Sequence, residues 1–268
     1  MRIAFIGGGK MAEAILSGLI RARAVDPADV SVGEPIEERA AYLKATYGVQ
    51  TTKDNRKAVQ ASQIIVLAVK PQDLPEACGD MRSGLSSGQT VLSIVAGATL
   101  SKLSRLLDHR SVVRVMPNTP AQVGFGMSVW TTTSVVDDAT RSFVAEMCSA
   151  LGEQLYVAEE KYLDMATALS ASGPAFIWLF LEALIDGGVH LGLTRDMASK
   201  LSIQTMLGSA HMARELGSHP AQLRNMVTSP GGTTVEGLLA LEEGSLRAVV
   251  AQALLAAYAK SQILGDEI

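Results

Sequence analysis

Short β-branched, apolar runs alternate with stretches of helical spacing over roughly the first 120 residues, the rhythm of βαβ units feeding a parallel sheet. The pattern predicts strands at Arg2–Ile6, Val30–Gly33, Ile64–Ala68, Val91–Val95 and Val112–Met116, and helices at Met11–Arg23, Ile36–Tyr47 and Leu100–Leu107. Two more strands are expected at Met127–Thr132 and Gln154–Val157, separated by a helix over Ala139–Leu151. From about Lys161 the rhythm changes. Ala, Leu and Met dominate, Pro and Gly fall only at punctuating positions, and four or five consecutive helices are expected without a strand. The fold class read from this is α/β: a doubly wound sheet over residues 1–160, followed by an all-α domain over residues 161–268.

One helix, from Gly173 or Pro174 to about Gly187, is apolar nearly all round, with Phe176, Ile177, Trp178, Leu179, Phe180 and Leu181 in succession. A helical domain of roughly 110 residues cannot cover such a helix on every side by itself. The second domain is therefore expected to form an obligate homodimer, or a larger homo-oligomer of such dimers.

Composition narrows the function classes. With 268 residues and 48% hydrophobic content the chain can bury a substantial core. A net charge of −4 without any Lys/Arg block argues against nucleic acid or a membrane as the main partner. Cys78 and Cys148 form no CxxC pair, and His109, His190, His211 and His219 lack zinc-site spacing, so no metal is expected. The chain opens directly on a strand with no signal-like leader, and its longest apolar stretch, Ala175–Leu181, is broken by Glu182 and Asp186 and is expected to be far too short to span a bilayer. A cytoplasmic location with reduced thiols is the expectation.

The first expected strand runs into Gly7, Gly8, Gly9, Lys10, Met11 and Ala12, a GxGxxA turn that opens a helix. Gly7 permits the tight turn, Gly9 lets the backbone approach a pyrophosphate, and Ala12 allows close helix–strand packing, so a Rossmann-type dinucleotide site is expected. At the end of the second strand Glu34 is placed to accept from a ribose 2′-hydroxyl and repel a 2′-phosphate, which favours NAD. Lys53, Asn55 and Arg56 lie in a polar stretch within reach of the same ribose, so NADH and NADPH both stay open. Three more segments fall at carboxyl ends of strands, where open α/β sheets bind ligands: Ala68-Val69-Lys70-Pro71, Val95-Ala96-Gly97 and Met116-Pro117-Asn118-Thr119-Pro120. In the last, two prolines fix a rigid loop that offers Asn118 to a nicotinamide amide.

Far from this signature the chain reads Thr228-Ser229-Pro230-Gly231-Gly232-Thr233-Thr234 and then turns apolar at helical spacing. A stiff turn with glycine amides facing outward, hydroxyls on Ser229, Thr233 and Thr234, and a helix start on the same spot suit a small anion, and beside a nicotinamide site they suggest a small carboxylate substrate. An ordinary capped helix after a tight turn fits the same pattern. No His or Lys lies within this loop to protonate an alkoxide, whereas a protonated imine already carries its proton. The combination favours hydride transfer to an imine. The alternatives are a β-hydroxyacid-type dehydrogenase, for which Lys161 or Lys200 would serve as acid, and a dinucleotide-binding regulator without turnover.

Together these segments, with Ser170-Ala171-Ser172-Gly173-Pro174-Ala175-Phe176, resemble pyrroline-5-carboxylate reductase over essentially the whole chain. The resemblance implies NAD(P)H-dependent reduction of L-1-pyrroline-5-carboxylate to L-proline, with two subunits contributing to each active site. It implies that Ser229 and the amides of Gly232 and Thr233 hold the substrate carboxylate, with Gly231 in the turn, and that Thr234 hydrogen-bonds the ring nitrogen. It also implies that Gly7, Gly9, Lys10 and Met11 line the pyrophosphate turn, that Asn55 lies near the adenosine ribose, and that Ala68, Lys70, Ala96, Gly97 and Asn118 surround the nicotinamide half. The chain departs from the family at two places: Ala171 stands where Gly is usual, and Glu34 stands where many relatives have residues compatible with a 2′-phosphate.

Overall fold

The computed structural model describes residues 1–267. They form two compact units, one of residues 1–172 together with the chain from Ala256 onward, the other of Gly173–Leu255. The change of rhythm read at residue 160 falls at the start of a helix, and the division by compactness comes just after Ser172.

The first unit is built on one sheet of eight strands: β1 (Ile3–Ile6), β2 (Val30–Gly33), β3 (Gln50–Thr52), β4 (Ile64–Leu67), β5 (Thr90–Ser93), β6 (Val112–Met116), β7 (Gly126–Thr132) and β8 (Gly152–Tyr156). Their order is β3-β2-β1-β4-β5-β6-β7-β8. All neighbours are parallel except β6 and β7, which run antiparallel. The first six strands have the Rossmann order, with its reversal between β1 and β4. The central strands are apolar on both faces, and their alternation feeds two cores. Ile3, Phe5, Ile64 and Val66 point to one side, Ala4, Ile6, Ile65 and Leu67 to the other.

Helices α1 (Lys10–Arg21), α2 (Glu37–Tyr47), α3 (Asn55–Gln60), α4 (Leu74–Arg82), α5 (Leu100–Leu107) and α6 (Asp138–Ser149) cover the sheet. On one face α1 contributes Ala12, Ile15, Leu16 and Leu19, and α6 contributes Phe143, Val144, Met147 and Cys148. On the other, α3, α4 and α5 bring Val59, Leu74, Cys78, Met81, Leu103 and Leu107. The two cysteines thus lie in opposite cores, and burial pushes both thiols up to about 12, which leaves them unreactive at neutral pH.

All seven expected strands and all four expected helices form, with ends shifted by a residue or two. Elements β3, α3 and α4 were not expected. Strand β3 is a three-residue edge, Gln-Thr-Thr, with no apolar alternation to announce it. Helix α3 spans six residues on an Asp54 cap, and α4 carries Pro75 in its first turn and Gly79 inside, residues that read as breaks. Beyond the sheet, α7 (Lys161–Ala166) leads into a π-helical turn, Thr167–Ala171, which contains the atypical Ala171.

The second unit is helical throughout: α8 (Gly173–His190), α9 (Arg195–Leu216), α10 (Pro220–Met226), α11 (Thr233–Glu243) and the start of α12 (Leu246–Glu267). It buries little within one chain. No residue of α8 is buried and Ala198 is the buried residue of α9, while Trp178 and Leu179 are 56% and 67% exposed. The apolar run Ala175–Leu181 is the middle of a longer helical stretch, and this corrects the expectation of an element too short to span a bilayer. Lys161–His190 (30 residues, mean hydropathy 1.6) and Leu246–Gly265 (20 residues, 1.2) are long and apolar enough by length and composition.

Candidate active site

The glycine turn lies at the carboxyl end of β1, beside the point where strand order reverses. Gly7 has φ +92°, and a Cβ there would lie 2.7 Å from the Ala68 carbonyl oxygen, so this residue is glycine for packing and backbone reasons together. Its N–H donates to Gly33 O at 2.8 Å, and Ala68 N–H donates to Ile6 O at 2.8 Å, which ties the turn to β2 and to the Ala68–Pro71 segment. Gly9 differs, since a Cβ on it would meet no atom within 4 Å. As the N-cap of α1 it carries no side-chain cap, so the first-turn N–H groups of Lys10 and Met11 have no intrahelical partner. An uncapped helix start behind an open glycine fits a dinucleotide pyrophosphate.

The turn is fixed from below by side chains that the motif does not include. Arg39 on α2 donates through Nε to Gly8 O (2.6 Å) and through Nη2 to Gly9 O (3.3 Å) and Glu13 Oε2 (2.6 Å). Glu13 Oε1 accepts from the hydroxyls of Tyr42 (2.8 Å) and Tyr47 (2.9 Å). Burial opposes ionisation of Glu13, but these three donors and the Arg39 charge outweigh it and hold the carboxyl below its ordinary value. Burial, then the hydrogen bond to Glu13, pushes the Tyr47 phenol up to about 12. A Glu at the fourth position of α1 facing Arg and Tyr on α2 was legible only once the helices were paired.

The other expected cofactor residues also collect at the carboxyl edge. Glu34 follows β2 and is buried, with Oε2 accepting from Gly8 N–H and Oε1 from Ile36 N–H, both at 2.9 Å. Asn55 begins α3 with its side chain across Gly33. Val69 is half-buried against Gly7, and the exposed Lys70 precedes a short 3-10 turn that starts at Pro71. Ala96 is half-buried after β5. Gly97 (φ +76°) is packed under α12, where a Cβ would come within 2.8 Å of the Leu264 backbone, and Lys102 Nζ donates to Gly265 O at 2.7 Å. Asn118 stands at the end of β6 with its amide engaged inside the unit. Nδ2 donates to the Ser170 hydroxyl (3.2 Å) and carbonyl (3.3 Å), and Oδ1 accepts from Met127 N–H (2.9 Å).

Sequence reasoning missed the charged hub beneath that loop. Arg114, in the middle of β6 and 1% exposed, donates to Glu160 at 2.9 Å and to Asp164 at 2.8 Å. Glu160 also accepts from Leu100 N–H (2.7 Å), and Asp164 from the Ser261 hydroxyl (3.3 Å). The signal was an Arg inside Val-Val-Arg-Val-Met, a charge where every neighbour is core.

In the second unit the Thr228–Thr234 segment has the geometry of an anion loop. Ser229 O accepts from Gly232 N–H at 3.0 Å across Pro230 and Gly231, and Gly231 takes φ +69°, the position a type II turn reserves for glycine. Helix α11 begins at Thr233 with Gly232 as an N-cap that carries no side-chain cap. Its first free amides are therefore those of Thr233 and Thr234. The Gly232 amide, expected at the carboxylate, closes the turn instead. Among the described residues the hydroxyls of Ser229, Thr233 and Thr234 have no hydrogen-bond partner, whereas Thr228 caps backward onto Arg224 O at 2.7 Å.

Comparison with known proteins covers the whole chain. Residues 160–264 match the family described as pyrroline-5-carboxylate reductase dimerisation, and residues 2–97 that described as NADP oxidoreductase, coenzyme F420-dependent. The pyrroline-5-carboxylate reductase of Synechocystis sp. is 41% identical over 267 residues, covering 100% of this chain and 99% of the relative. Among solved structures, the enzyme of that name from Coxiella burnetii superposes with a TM-score of 0.90 at 38% identity, covering 98% of both chains. The Plasmodium falciparum pyrroline carboxylate reductase, solved with NADP bound, gives 0.91 at 31% identity, over 99% of this chain and 98% of that one.

Proposed function

The chain belongs to the pyrroline-5-carboxylate reductase family, and on that footing we infer that it reduces L-1-pyrroline-5-carboxylate to L-proline with NADPH or NADH, the last step of proline synthesis. The observation that carries the substrate side is the Ser229–Thr234 loop, where among the described residues three hydroxyls have no hydrogen-bond partner and α11 starts without a side-chain cap. Ser229 and the Thr233 amide bind the carboxylate, Gly231 and Gly232 shape the turn, and Thr234 accepts from the protonated ring nitrogen. The cofactor is held by Gly7, Gly8, Gly9, Lys10 and Met11 at the pyrophosphate, by Glu34 and Asn55 at the adenosine ribose, and by Ala68–Pro71, Ala96, Gly97 and Asn118 toward the nicotinamide.

Bound nicotinamide supplies a hydride to the imine carbon. The C=N π pair moves onto nitrogen, which becomes a neutral amine and needs no proton from the enzyme at that step. A loop without His or Lys is suited to this and unsuited to making an alcohol. Lys161, one candidate acid of a β-hydroxyacid dehydrogenase, is instead paired with Glu159 at an exposed helix start, which weighs against that alternative.

We place cofactor binding in residues 1–160 and dimerisation with substrate binding in residues 161–268. The apolar faces of α8 and α12 are covered by a second copy rather than by lipid, giving a cytoplasmic homodimer that has no nucleic-acid partner.

Steady-state kinetics on two variants test the residue roles. Thr234→Ala is expected to lower kcat/KM by about 1–3 kcal/mol of transition-state stabilisation, with unfolding unchanged. Ser229→Ala is expected to raise KM with kcat little affected. Unchanged kcat/KM in the first, or a pure kcat effect in the second, contradicts the assignment.

A further inference from the structure

We propose that Glu34 makes this chain selective for NADH over NADPH. The inference rests on reading Gly7–Met11 as the pyrophosphate turn, and it concerns the neighbouring ribose. Glu34 follows β2 with its backbone fixed by N–H donation to Thr52 O at 2.9 Å. Its side chain is 6% exposed and cannot swing away, because each carboxylate oxygen accepts one backbone N–H, from Gly8 and from Ile36. Withdrawing it would leave the buried Gly8 amide unpaired.

One of those amides belongs to the glycine turn itself, so the charge is anchored beside the site where the cofactor binds. A carboxylate offers about four acceptor positions, of which two are used here. The others suit the hydroxyls of an unmodified ribose, which are donors. A 2′-phosphate has none to offer and carries its own negative charge.

Two of the nearby cations are already committed. Arg39 is held by Gly8 O, Gly9 O and Glu13, and Lys53 is paired with Glu37 at 3.2 Å. The pocket that Glu34 shares with Glu37, Lys44 and Lys53 holds two acids against two bases, so the selectivity rests on the fixed Glu34 carboxylate and not on an acidic surround.

Equilibrium titration of the full chain with NADH and, separately, NADPH, followed by nicotinamide fluorescence, tests this without turnover. The native protein is expected to bind NADH at least about tenfold more tightly, with the ratio narrowing as salt screens the repulsion. Glu34→Gln keeps the size and an acceptor for the Gly8 amide, and it is expected to bring the ratio toward one, mainly by tightening NADPH. Equal or tighter NADPH binding by the native protein overturns the proposal, as does a Glu34→Gln change that is the same for both cofactors. Failure to bind either cofactor overturns the pyrophosphate reading and the proposal with it, an outcome distinct from equal binding. The native ratio decides the matter even if the variant does not fold.

Discussion

Gly9→Ala weakens NADH and NADPH binding about a hundredfold, some 2.7 kcal/mol, while costing about 1 kcal/mol or less of folding stability. The stability cost is small because Gly9 already has φ −64°, which alanine adopts freely, and the new methyl meets no protein atom within 4 Å. Alanine is merely a poorer N-cap. The binding cost is large because that empty space is where a pyrophosphate must come against the amides of α1. Gly7→Ala supplies the contrast. Its φ of +92° and the 2.7 Å approach to Ala68 O cost about 2–4 kcal/mol of stability, whatever it does to binding. Denaturant unfolding and cofactor titration on the two proteins separate a glycine needed for a ligand from one needed for the fold. Gly9→Ala binding cofactor as the parent does contradicts the account.

Arg114→Ala lowers unfolding stability by about 3–5 kcal/mol, the cost of breaking a buried ion pair from one side. Arg114 joins β6 to α7 through Glu160 and Asp164, to the start of α5 through Glu160 and Leu100 N–H, and to α12 through Asp164 and Ser261. Removing it leaves two carboxylates, both partly exposed, facing each other across the hole. Their contact with water places the loss toward the lower end of the range. Urea unfolding with an unchanged slope and a lower midpoint is the expected result. A change below about 1 kcal/mol contradicts the hub.

The sheet was legible because burial on both faces forces apolar runs, which are continuous in β1 and β4 and interrupted in β6 only by Arg114. Strand β3 and helix α4 were not. The edge strand is polar, and Pro75 and Gly79 imitate a break, so packing had to decide both. Within the candidate site, motif positions placed Gly7–Met11 and Ser229–Thr234 on the right kind of turn. What sequence spacing did not convey was occupancy of hydrogen-bonding groups. The Gly232 amide closes its own turn, Asn118 is engaged by Ser170 and Met127, and Gly97 is glycine partly because α12 lies against it. Those partners are distant in sequence or depend on one backbone angle.

The direct test of the central claim is oxidation of NADH and of NADPH by the purified chain, with L-1-pyrroline-5-carboxylate against a 3-oxo acid and with the amino-acid product identified. The expected result is oxidation only with pyrroline-5-carboxylate, forming one L-proline per cofactor consumed. Turnover of the oxo acid without turnover of the imine, or cofactor binding with neither reaction, contradicts it.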